Sequence, residues 1–281
     1  MSPSTAKTVL ITGTSSGIGL AAAKHFAAQG WNVVATQRTP EKDTELRHIA
    51  NVLATRLDVQ DLDSMAPAIE AGIARFGRID ALVNNSGYGQ YGLLEAVSRE
   101  QILAQFEVNV FGVIELTRAI LPHFRKNKGG MVINVSSGAG MFTLPMISMY
   151  CASKFALEGF SEAVSYELAS QNIAVKLVTP HGGVTSTSFN ARTSSGSASD
   201  SALSDYGDFV ADTAQAFAAM TSASTITSDD VAKVIYGAAT DGSSQLRYLV
   251  GDDARGFVKA RREMSEGDYM AFMRAKFLPA A

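Results

Sequence analysis

Tyr150 and Lys154 are the two residues of this sequence best placed to move a proton together. They occur in the run Tyr-Cys-Ala-Ser-Lys, and positions i and i+4 share a face of a helix. A free tyrosine has a pKa of about 10, which is too high for efficient proton transfer near neutrality. A neighbouring ammonium stabilises the phenolate, so the spacing predicts that Lys154 lowers the pKa of Tyr150. A surface pair without function would show the same spacing.

Ser137 and Asn109 are two further polar residues that could take part in the same chemistry. Ser136 and Ser137 follow an apolar run that we predict to be the fifth strand. Ligands of open α/β sheets bind beyond the carboxyl ends of the strands, where a hydroxyl could donate to a substrate carbonyl oxygen. Serine is also favoured in turns for structural reasons alone. Asn109 lies in a helical stretch although asparagine is a poor helix former, which is consistent with a bent helix or a buried polar role.

A glycine-rich turn near the N-terminus has the composition of a phosphate-binding loop. It reads Thr-Gly-Thr-Ser-Ser-Gly-Ile-Gly from Thr12, between the first predicted strand and the first predicted helix. Glycine lets the backbone approach a ligand closely, and a helix N-terminus offers N–H groups to phosphate. The spacing differs from G-x-G-x-x-G, and a structural turn would also explain the glycines. The position favours a nucleotide, with contacts expected from Gly13, Thr14, Ser15, Ser16, Gly17, Ile18 and Gly19.

The end of the second predicted strand indicates which nucleotide such a turn would hold. It reads Thr36-Gln37-Arg38, and no Asp or Glu occurs before Glu41. An acidic residue here binds the ribose 2′-hydroxyl of NAD, whereas an arginine accommodates the 2′-phosphate of NADP. Arg38 therefore favours NADP(H), although a solvated surface arginine is the ordinary alternative.

These residues need a scaffold, and the chain alternates short apolar runs with segments of helical period. Such alternation predicts parallel strands joined by crossover helices, and continuous apolar strands indicate a sheet covered on both faces. We therefore predict an α/β fold, a Rossmann-type, doubly wound, mostly parallel seven-stranded sheet in a single domain over residues 1–281. The predicted strands include residues 9–11, 33–35, 52–54, 81–83, 131–133, 173–178 and 246–250, and the helical segments lie at 18–30, 61–76, 98–125, 150–169 and 227–239.

Composition and charge narrow the classes of function. The 281 residues carry a formal net charge of −3, which provides no basic surface for nucleic acid or for an anionic membrane. Apolar runs fall short of the roughly 20 residues that cross a bilayer, and the N-terminus lacks a signal-peptide core. Cys151 is the single cysteine, and the four histidines show no metal-ligand spacing. We expect no metal, no nucleic-acid or membrane partner, and a cytoplasmic location.

Taken together, the motifs resemble those of the short-chain dehydrogenase/reductase family in order and spacing. They are the glycine turn, Asn-Asn-x-Gly from Asn84, the asparagine at 109, the serine at 137, and Tyr-x3-Lys thirteen residues after that serine. The resemblance runs from about Thr8 to Thr185. It implies a Ser-Tyr-Lys-Asn catalytic tetrad, and within the family the segments at 35–38 and 150–159 look like the NADP-preferring branch of 17β-hydroxysteroid and retinol-type dehydrogenases. The implied tetrad is Ser137, Tyr150, Lys154 and Asn109.

The resemblance also implies cofactor contacts beyond the glycine turn and Arg38. The chain departs from the family pattern at two places. Ser86 stands where alanine is usual, and His181 is an extra residue in the Pro-Gly loop after the sixth strand. His181 is interpreted as a substrate contact or as a loop filler, with the filler slightly favoured. The implied cofactor contacts are Asp58, Val59, Asn85, Ser86, Gly87, Tyr150, Lys154, Pro180, Gly182, Gly183, Val184 and Thr185.

The expected activity is reduction of a ketone or aldehyde to an alcohol, or the reverse, with NADP(H) and with Tyr150 as general acid/base. The resemblance implies that Asn109 orders a water in a proton relay, and that the chain forms a homodimer or homotetramer through its long helices near Asn109 and Tyr150. Two alternatives stay open: an NAD-linked alcohol dehydrogenase of the same family, and a non-catalytic nucleotide-sensing protein on the same fold. Arg38 argues against the first, and the retained Tyr150–Lys154 pair argues against the second.

Residues 185–225 interrupt the alternation of strands and helices and are rich in Ser, Thr and Ala. Their composition fits either a disordered insertion or a mobile flap over a site. The family places a substrate flap at this position, so we expect a substrate-side flap here. The apolar side chains Phe142, Leu144, Met146, Met149 and Phe189 suggest an apolar substrate, although they could equally belong to the core.

Overall fold

Seven apolar segments of the chain pair side by side into one sheet in the computed structural model, which describes residues 6–181, 183–185, 198, 200–222 and 226–278. The strand order is β3-β2-β1-β4-β5-β6-β7, and every pairing between neighbouring strands is parallel. The predicted seven-stranded sheet is confirmed. The strands are β1 Thr8–Thr12, β2 Asn32–Gln37, β3 Val52–Arg56, β4 Ala81–Asn84, β5 Gly130–Val135, β6 Ile173–Pro180 and β7 Arg247–Val250.

Helices cover both faces of this sheet, because residues along each central strand are apolar on both sides. In β1, Val9 belongs to one buried cluster and Leu10 to the other. Phe26 of α1 packs into the first cluster, and Ile120 of α4 packs into the second. The sheet is therefore doubly wound, as predicted. The helices are α1 Gly17–Ala28, α2 Met65–Phe76, α3 Arg99–Phe106, α4 Gly112–Lys126, α5 Ser148–Ala169, α6 Gly207–Ser222, α7 Ser228–Thr240, α8 Asp252–Glu263 and α9 Glu266–Phe277.

Local sequence signals fix several helix ends. Ser98 and Gln101 form a capping box at the start of α3, and Thr227 and Asp230 form another at the start of α7. Gly77 ends α2 with φ of +88°, a backbone conformation that favours glycine. These ends agree with the sequence-based helix limits to within a few residues.

The helical stretch around Asn109 is broken, as its asparagine suggested. Residues Glu107–Phe111 form a π-helical turn between α3 and α4. Such wide turns are rare and occur often at functional sites. Gly112 follows directly, and a Cβ placed there would lie 2.6 Å from the Val59 carbonyl oxygen. The bend therefore brings this part of the chain against the loop that follows β3.

Two helices after β7, α8 and α9, were not predicted from the sequence. With α6 they pack on the loop that follows β5. Phe142 of that loop is 1% exposed and stacks on Phe257 of α8, with ring centroids 4.8 Å apart. Leu144 packs against the same cluster. Phe142 and Leu144 are thus core residues of the C-terminal region, and they do not support the suggestion of an apolar substrate.

The described part of segment 185–225 is held by a few specific contacts. The Ala198 N–H donates to the Tyr91 carbonyl at 2.9 Å, and the Tyr206 hydroxyl donates to Glu95 at 2.6 Å. Phe217 of α6 approaches the ring of Tyr91, with centroids 6.3 Å apart. Phe189 lies outside the described residues. Within the described ranges, none of the helices has the length and apolar character needed to cross a bilayer.

Candidate active site

A cleft of about 420 Å³ opens at the carboxyl ends of the central strands, the position expected for a ligand of a doubly wound sheet. It extends from the glycine turn after β1 to the first two turns of α5. Most of the predicted site residues meet here. Those that line the cleft are Gly13, Ser15, Ser16, Ile18, Arg38, Asp58, Val59, Asn85, Ser86, Gly87, Ser137, Tyr150, Lys154, Pro180 and Val184.

Six predicted residues do not line this cleft. The Thr14 hydroxyl donates to the Thr36 carbonyl at 3.1 Å, so it braces the turn against β2. The Thr185 N–H donates to the Ile226 carbonyl at 2.8 Å. Gly182 lies outside the described residues. The predicted residues absent from the lining are Thr14, Gly17, Gly19, Asn109, Gly183 and Thr185.

The glycines of the turn are required by its geometry. Gly13 and Gly17 have φ of +70° and +58°, in the left-handed region that side chains avoid. A Cβ on Gly19 would lie 2.3 Å from the Gly13 carbonyl oxygen, so helix α1 could not start this close to β1 with any other residue. Ser16 makes no side-chain cap bond, and the first turn of α1 contains no acidic residue. The helix N-terminus therefore presents backbone N–H groups and a positive dipole end at the cleft.

The Asn-Asn-Ser-Gly segment after β4 braces this turn from the opposite side. The backbone N–H groups of Asn85 and Ser86 both donate to the Thr12 hydroxyl at 2.9 Å. The Asn85 side chain donates to the Thr12 carbonyl at 2.9 Å. Ser86 packs on Gly13, because a Cβ placed on that glycine would lie 2.9 Å from Ser86 Oγ. The serine that replaces the usual alanine therefore fits without displacing the turn.

Asn84, at the end of β4, links the sheet to the helix that carries Tyr150. Its amide donates to Asn134 Oδ1 at 2.8 Å, and the Asn134 amide donates to Ser161 Oγ at 2.8 Å. Asn84 and Asn134 are almost completely buried, so breaking this chain would leave polar groups without water. The network fixes α5 against the ends of β4 and β5.

Tyr150 and Lys154 lie one helical turn apart on α5 and line the cleft, as predicted. They are 8% and 5% exposed. The Lys154 Nζ donates to the Val135 carbonyl at 3.0 Å and lies 5.8 Å from the centroid of the Tyr150 ring. Ser137 is hydrogen-bonded to Tyr150. The hydroxyls of Ser137 and Tyr150 thus meet at one point of the cleft, with an ammonium behind the tyrosine.

The ionisation of this pair differs from the expectation. Burial raises the pKa of Tyr150, and its hydrogen bond with Ser137 opposes that effect. Burial lowers the pKa of Lys154 to about 8, and Glu158 opposes this change. The prediction that Lys154 lowers the Tyr150 pKa overlooked that both groups lie in the protein interior, where burial disfavours each charged form.

Asn109 is fully buried beside the cleft rather than in its lining. Its amide donates to the Tyr88 carbonyl at 3.0 Å and to Ser153 Oγ at 3.1 Å, and its Oδ1 accepts from the Tyr88 N–H at 3.2 Å. A Cβ placed on Gly87 would lie 3.2 Å from Asn109 Oδ1 and 3.8 Å from Lys154 Nζ. Asn109 therefore connects the loop after β4 to α5 next to the lysine.

Nine lining residues were not predicted as catalytic or cofactor-binding residues, and five of them have polar side chains. Gln37 Nε2 and Ser136 Oγ are buried and have no hydrogen-bond partner among the described residues. In the sequence, only the position of Gln37 before Arg38 and of Ser136 before Ser137 indicated that they could lie in the site. His181 is 4% exposed, lines the cleft and stacks on Phe142 with ring centroids 6.3 Å apart. The other missed lining residues are Leu57, Gln60, Tyr88, Ala104, Val108 and Val135.

The family model described as short chain dehydrogenase matches residues 7–197. The chain belongs to the short-chain dehydrogenase family. This match includes the glycine turn and the Tyr150–Lys154 pair. As a member of the short-chain dehydrogenase family, the protein is an oxidoreductase that acts on a CH–OH or carbonyl group with a nicotinamide cofactor. In the described part of the chain, His, Cys, Asp and Glu side chains form no group of three or more that could hold a metal ion.

A curated relative and a solved structure extend the similarity over most of the chain. An uncharacterised oxidoreductase of Schizosaccharomyces pombe is 36% identical over 234 residues, which cover 83% of this chain and 96% of the relative. The crystal structure of a short-chain dehydrogenase from Streptomyces avermitilis matches with a TM-score of 0.79 at 30% identity, over 96% of this chain and 98% of that one.

Solved structures at lower identity contain both nicotinamide nucleotides. A gluconate 5-dehydrogenase from Burkholderia cenocepacia, in complex with NADP and tartrate, is 25% identical with a TM-score of 0.72, over 89% of this chain and 95% of that one. A further structure, also 25% identical, is a complex with NADH. The family therefore fixes the fold and the class of reaction, while the choice between NAD and NADP depends on residues of this chain.

Proposed function

We propose that this chain is an NADP(H)-dependent oxidoreductase that reduces a ketone or aldehyde to an alcohol, or catalyses the reverse reaction. The observation that carries the proposal is the hydrogen-bonded pair of Ser137 and Tyr150 in the cleft, with the Lys154 ammonium one helical turn behind. The glycine turn lines the other end of the same cleft. A site for hydride transfer needs a nucleotide cradle and a proton donor within one cavity, and the cleft has both.

The residues at the glycine turn fit a dinucleotide. Gly13, Ser16 and Ile18 of the turn line the cleft at the start of α1, where backbone N–H groups can bind a phosphate. Gln37 also lines the cleft next to Arg38. Its side-chain amide nitrogen is a buried donor without a hydrogen-bond partner among the described residues. We propose that Asp58, Val59, Asn85, Ser86, Gly87, Pro180, Gly182, Gly183, Val184 and Thr185 contribute the remaining cofactor contacts.

NADP(H) is favoured over NAD(H) by the residues that follow β2. Arg38 is exposed at the rim of the cleft, where its guanidinium is available to a 2′-phosphate. Gln37 occupies the end of the strand, and an amide does not repel a phosphate as a carboxylate would. NAD-linked alcohol oxidation is the alternative that the cofactor assay below excludes or establishes.

The chain's own residues can perform the proton transfer that accompanies reduction, for which bound NADPH would supply the hydride. Ser137 and Tyr150 orient the substrate oxygen, and the Tyr150 hydroxyl donates a proton to it. Lys154, with a pKa of about 8, is mostly protonated at neutral pH and stabilises the resulting phenolate. Asn109 holds the Tyr88 backbone next to Lys154, and we propose that a water ordered there returns the proton.

The proposal extends to the substrate, the assembly and the location. We propose a small carbonyl or alcohol substrate, apolar in its main part, as the chemical class of partner. Four large side chains on α3, α5 and the turn between α3 and α4 are exposed, which supports a homodimer or homotetramer formed through these helices. The single cysteine is buried and is compatible with a cytoplasmic location. The exposed residues are Leu103, Phe111, Phe155 and Tyr166, at 47%, 48%, 41% and 72% exposure.

The proposal is tested by a panel of aldehydes, ketones and diketones offered with NADPH and with NADH in parallel. Loss of the nicotinamide absorbance is expected with NADPH at lower cofactor concentration than with NADH. Activity with NADH alone would establish the NAD-linked alternative. Tight cofactor binding without turnover on any carbonyl or alcohol would instead indicate a nucleotide-sensing protein.

A further inference from the structure

Glu158 is a buried carboxylate one helical turn beyond Lys154 on α5. It is 5% exposed, and its Oε1 accepts a long hydrogen bond of 3.5 Å from the Thr179 hydroxyl. Positions i and i+4 of a helix lie side by side, so the carboxylate is a neighbour of the Lys154 side chain. Lys154 lines the cleft and Glu158 does not. A carboxylate that deep in a protein requires a charged partner.

The partner of Glu158 is Arg247, the first residue of β7. The Arg247 Nε donates to Glu158 Oε2 at 2.8 Å, and the same guanidinium donates to Glu162 Oε2 at 2.5 Å. The side chain of Glu158 is 7% exposed, and that of Glu162 is 46% exposed. Two carboxylates share one guanidinium, so the cluster keeps one net negative charge. Of the two carboxylates, that of Glu158 is the more buried, and it is also the closer to Lys154 along α5.

The turn that follows Ser137 seals this part of α5. A Cβ placed on Gly140 would lie 2.9 Å from the Lys154 carbonyl oxygen and 3.0 Å from Glu158 Cγ, so only glycine permits this approach. The close packing excludes water from the helix surface between the two charged side chains. In such surroundings a charge one turn away acts more strongly than it would across solvent.

We propose that the carboxylate of Glu158, held and partly neutralised by Arg247, keeps the Lys154 ammonium charged, so that both residues act on proton transfer through Lys154. Neither touches the cleft, so both are positioning residues rather than catalytic ones. This inference rests on the proposed function, because it concerns the proton that Tyr150 transfers. It assigns a role to a charge cluster that the mechanism above does not otherwise use.

The charges around the pair support this arrangement. Burial lowers the pKa of Lys154, and the negative charge of Glu158 opposes this change. The groups that face Lys154 are Tyr150 and Glu158 on α5, the Val135 carbonyl on β5, and the neutral amide of Asn109. The groups that face Glu158 are Lys154 and Glu162 on α5, Arg247 on β7 and the Thr179 hydroxyl on β6.

The charge that each substitution removes determines the direction in which the pKa values of Lys154 and Tyr150 shift. Glu158→Gln removes a negative charge, which disfavours the Lys154 ammonium and favours the Tyr150 phenolate, so the pKa of each group falls. Arg247→Gln removes a positive charge and leaves Glu158 to act more strongly, so both pKa values rise. A pH profile therefore shifts in the same direction whichever of the two groups it reports. If Glu158 and Arg247 had only structural roles, the two substitutions would not shift the pH profile in opposite directions.

The test measures kcat/KM for alcohol oxidation against pH in the wild type and in the two variants. Alcohol oxidation needs the deprotonated Tyr150 hydroxyl, so the acid limb reports that group. The limb is expected to move to lower pH by about half a unit in Glu158→Gln, roughly a three-fold faster rate at a fixed pH on that limb. The limb is expected to move to higher pH in Arg247→Gln. Calorimetric proton uptake on binding of the nicotinamide nucleotide reports the same ionisation without turnover.

Glu162→Gln is the matched control, because it removes the other carboxylate of Arg247 one turn further from Lys154. Its shift should be smaller than that of Glu158→Gln. Shifts of the same sign in the Glu158 and Arg247 variants, or folded variants with unshifted profiles, would overturn the inference. If Glu158→Gln fails to fold, the sign of the Arg247→Gln shift decides. A wild type that binds nucleotide but turns over no carbonyl and no alcohol would refute the proposed function, while proton uptake would still test the role of Glu158.

Discussion

Two regions of the molecule are held together by different kinds of contact: the glycine-turn side of the cleft, and a C-terminal side that reaches the cleft lining through the stack of His181 on Phe142. On the glycine-turn side, defined as residues 12–19 and 84–87, backbone atoms make most contacts, such as the hydrogen bonds from Asn85 and Ser86 to Thr12. On the C-terminal side, defined as α6, α8, α9 and the loop around Phe142, side chains make them. The Phe142–Phe257 stack is the central contact there.

This difference indicates which amino-acid substitutions each side tolerates. A turn built from positive-φ glycines and backbone hydrogen bonds accepts few substitutions, because a single Cβ would overlap other atoms. An apolar cluster accepts many substitutions that preserve its volume. We therefore expect changes on the glycine-turn side to act on cofactor binding, and changes on the C-terminal side to act on stability and on substrate. Removing the Tyr150 hydroxyl alone should lower turnover and leave the fold and NADPH binding intact.

The largest expected effect is that of Tyr150→Phe. Turnover should fall by roughly 10²–10⁴-fold, which is the usual contribution of a positioned acid, while the fold and NADPH affinity persist. Steady-state kinetics and fluorescence titration with NADPH measure the two quantities. Tyr166→Phe, at an exposed position of the same helix, serves as the control. A Tyr150→Phe protein with a near wild-type kcat would refute the mechanism.

A second large effect is expected from Phe257→Ala on the C-terminal side. Phe257 is 8% exposed and contacts both Phe142 and Phe272, so truncation should cost about 3–5 kcal/mol of unfolding free energy. Denaturant unfolding measures this loss, and Leu62→Ala at a 57% exposed position is the control. NADPH affinity should be preserved in the folded fraction. A selective loss of NADPH affinity with unchanged stability would show that the two sides are not separable as described.

A smaller effect is expected from Arg38→Asp on the glycine-turn side. A charge-assisted hydrogen bond contributes about 1.5–3 kcal/mol, so the KM for NADPH should rise roughly ten- to a hundred-fold and NADH should become relatively better. The ratio of kcat/KM for the two cofactors is the measurement. Arg75→Asp, which makes the same charge change on α2, controls for net charge. An unchanged ratio in Arg38→Asp would show that Arg38 does not contact the 2′-phosphate.

The sequence predicted the glycine-turn side because its determinants are local. Gly13 and Gly19 must be glycine for reasons that a short motif records, and the capping box at Ser98 marks a helix start in four residues. The Tyr150–Lys154 pair follows from helical spacing alone. The seven strands were visible as apolar runs, since a sheet covered on both faces has few polar positions.

The rest depended on contacts between distant segments, which no local pattern records. Phe142 and Phe257 meet across more than a hundred residues, so the sequence showed two ordinary apolar residues and left Phe142 open between the substrate and the core. The pKa of Tyr150 depends on burial, which spacing does not give, so the expected lowered pKa was wrong: burial raises it. For His181 the sequence left a substrate contact and a loop filler open, with the filler slightly favoured, whereas the residue lines the cleft and stacks on Phe142.

The smallest expected effect concerns the segment 185–225, which borders the C-terminal side. The described residues of this segment before α6 are held by few contacts, such as the Tyr206–Glu95 hydrogen bond and the Ala198–Tyr91 backbone bond, whereas α6 itself packs into the C-terminal side. Exposed bonds of this kind open easily, because water replaces either partner at little cost. We predict that the segment opens in the free protein and closes when cofactor and substrate bind, which would exclude water from the path of the hydride.

Hydrogen exchange of the free protein, and of its complex with NADPH and a substrate or inhibitor, measures this closure. Protection of residues 200–217 should increase in the complex, whereas that of α1 should change only near the glycine turn. Tyr206→Phe removes one contact of the closed form, so it should speed exchange of residues 200–206 and raise the substrate KM slightly, with NADPH affinity unchanged. Equal protection with and without ligand would show that the segment is a fixed insertion. The C-terminal side would then select its substrate by the shape of a preformed wall, and substitutions at Phe217 rather than at Tyr206 would change that selection.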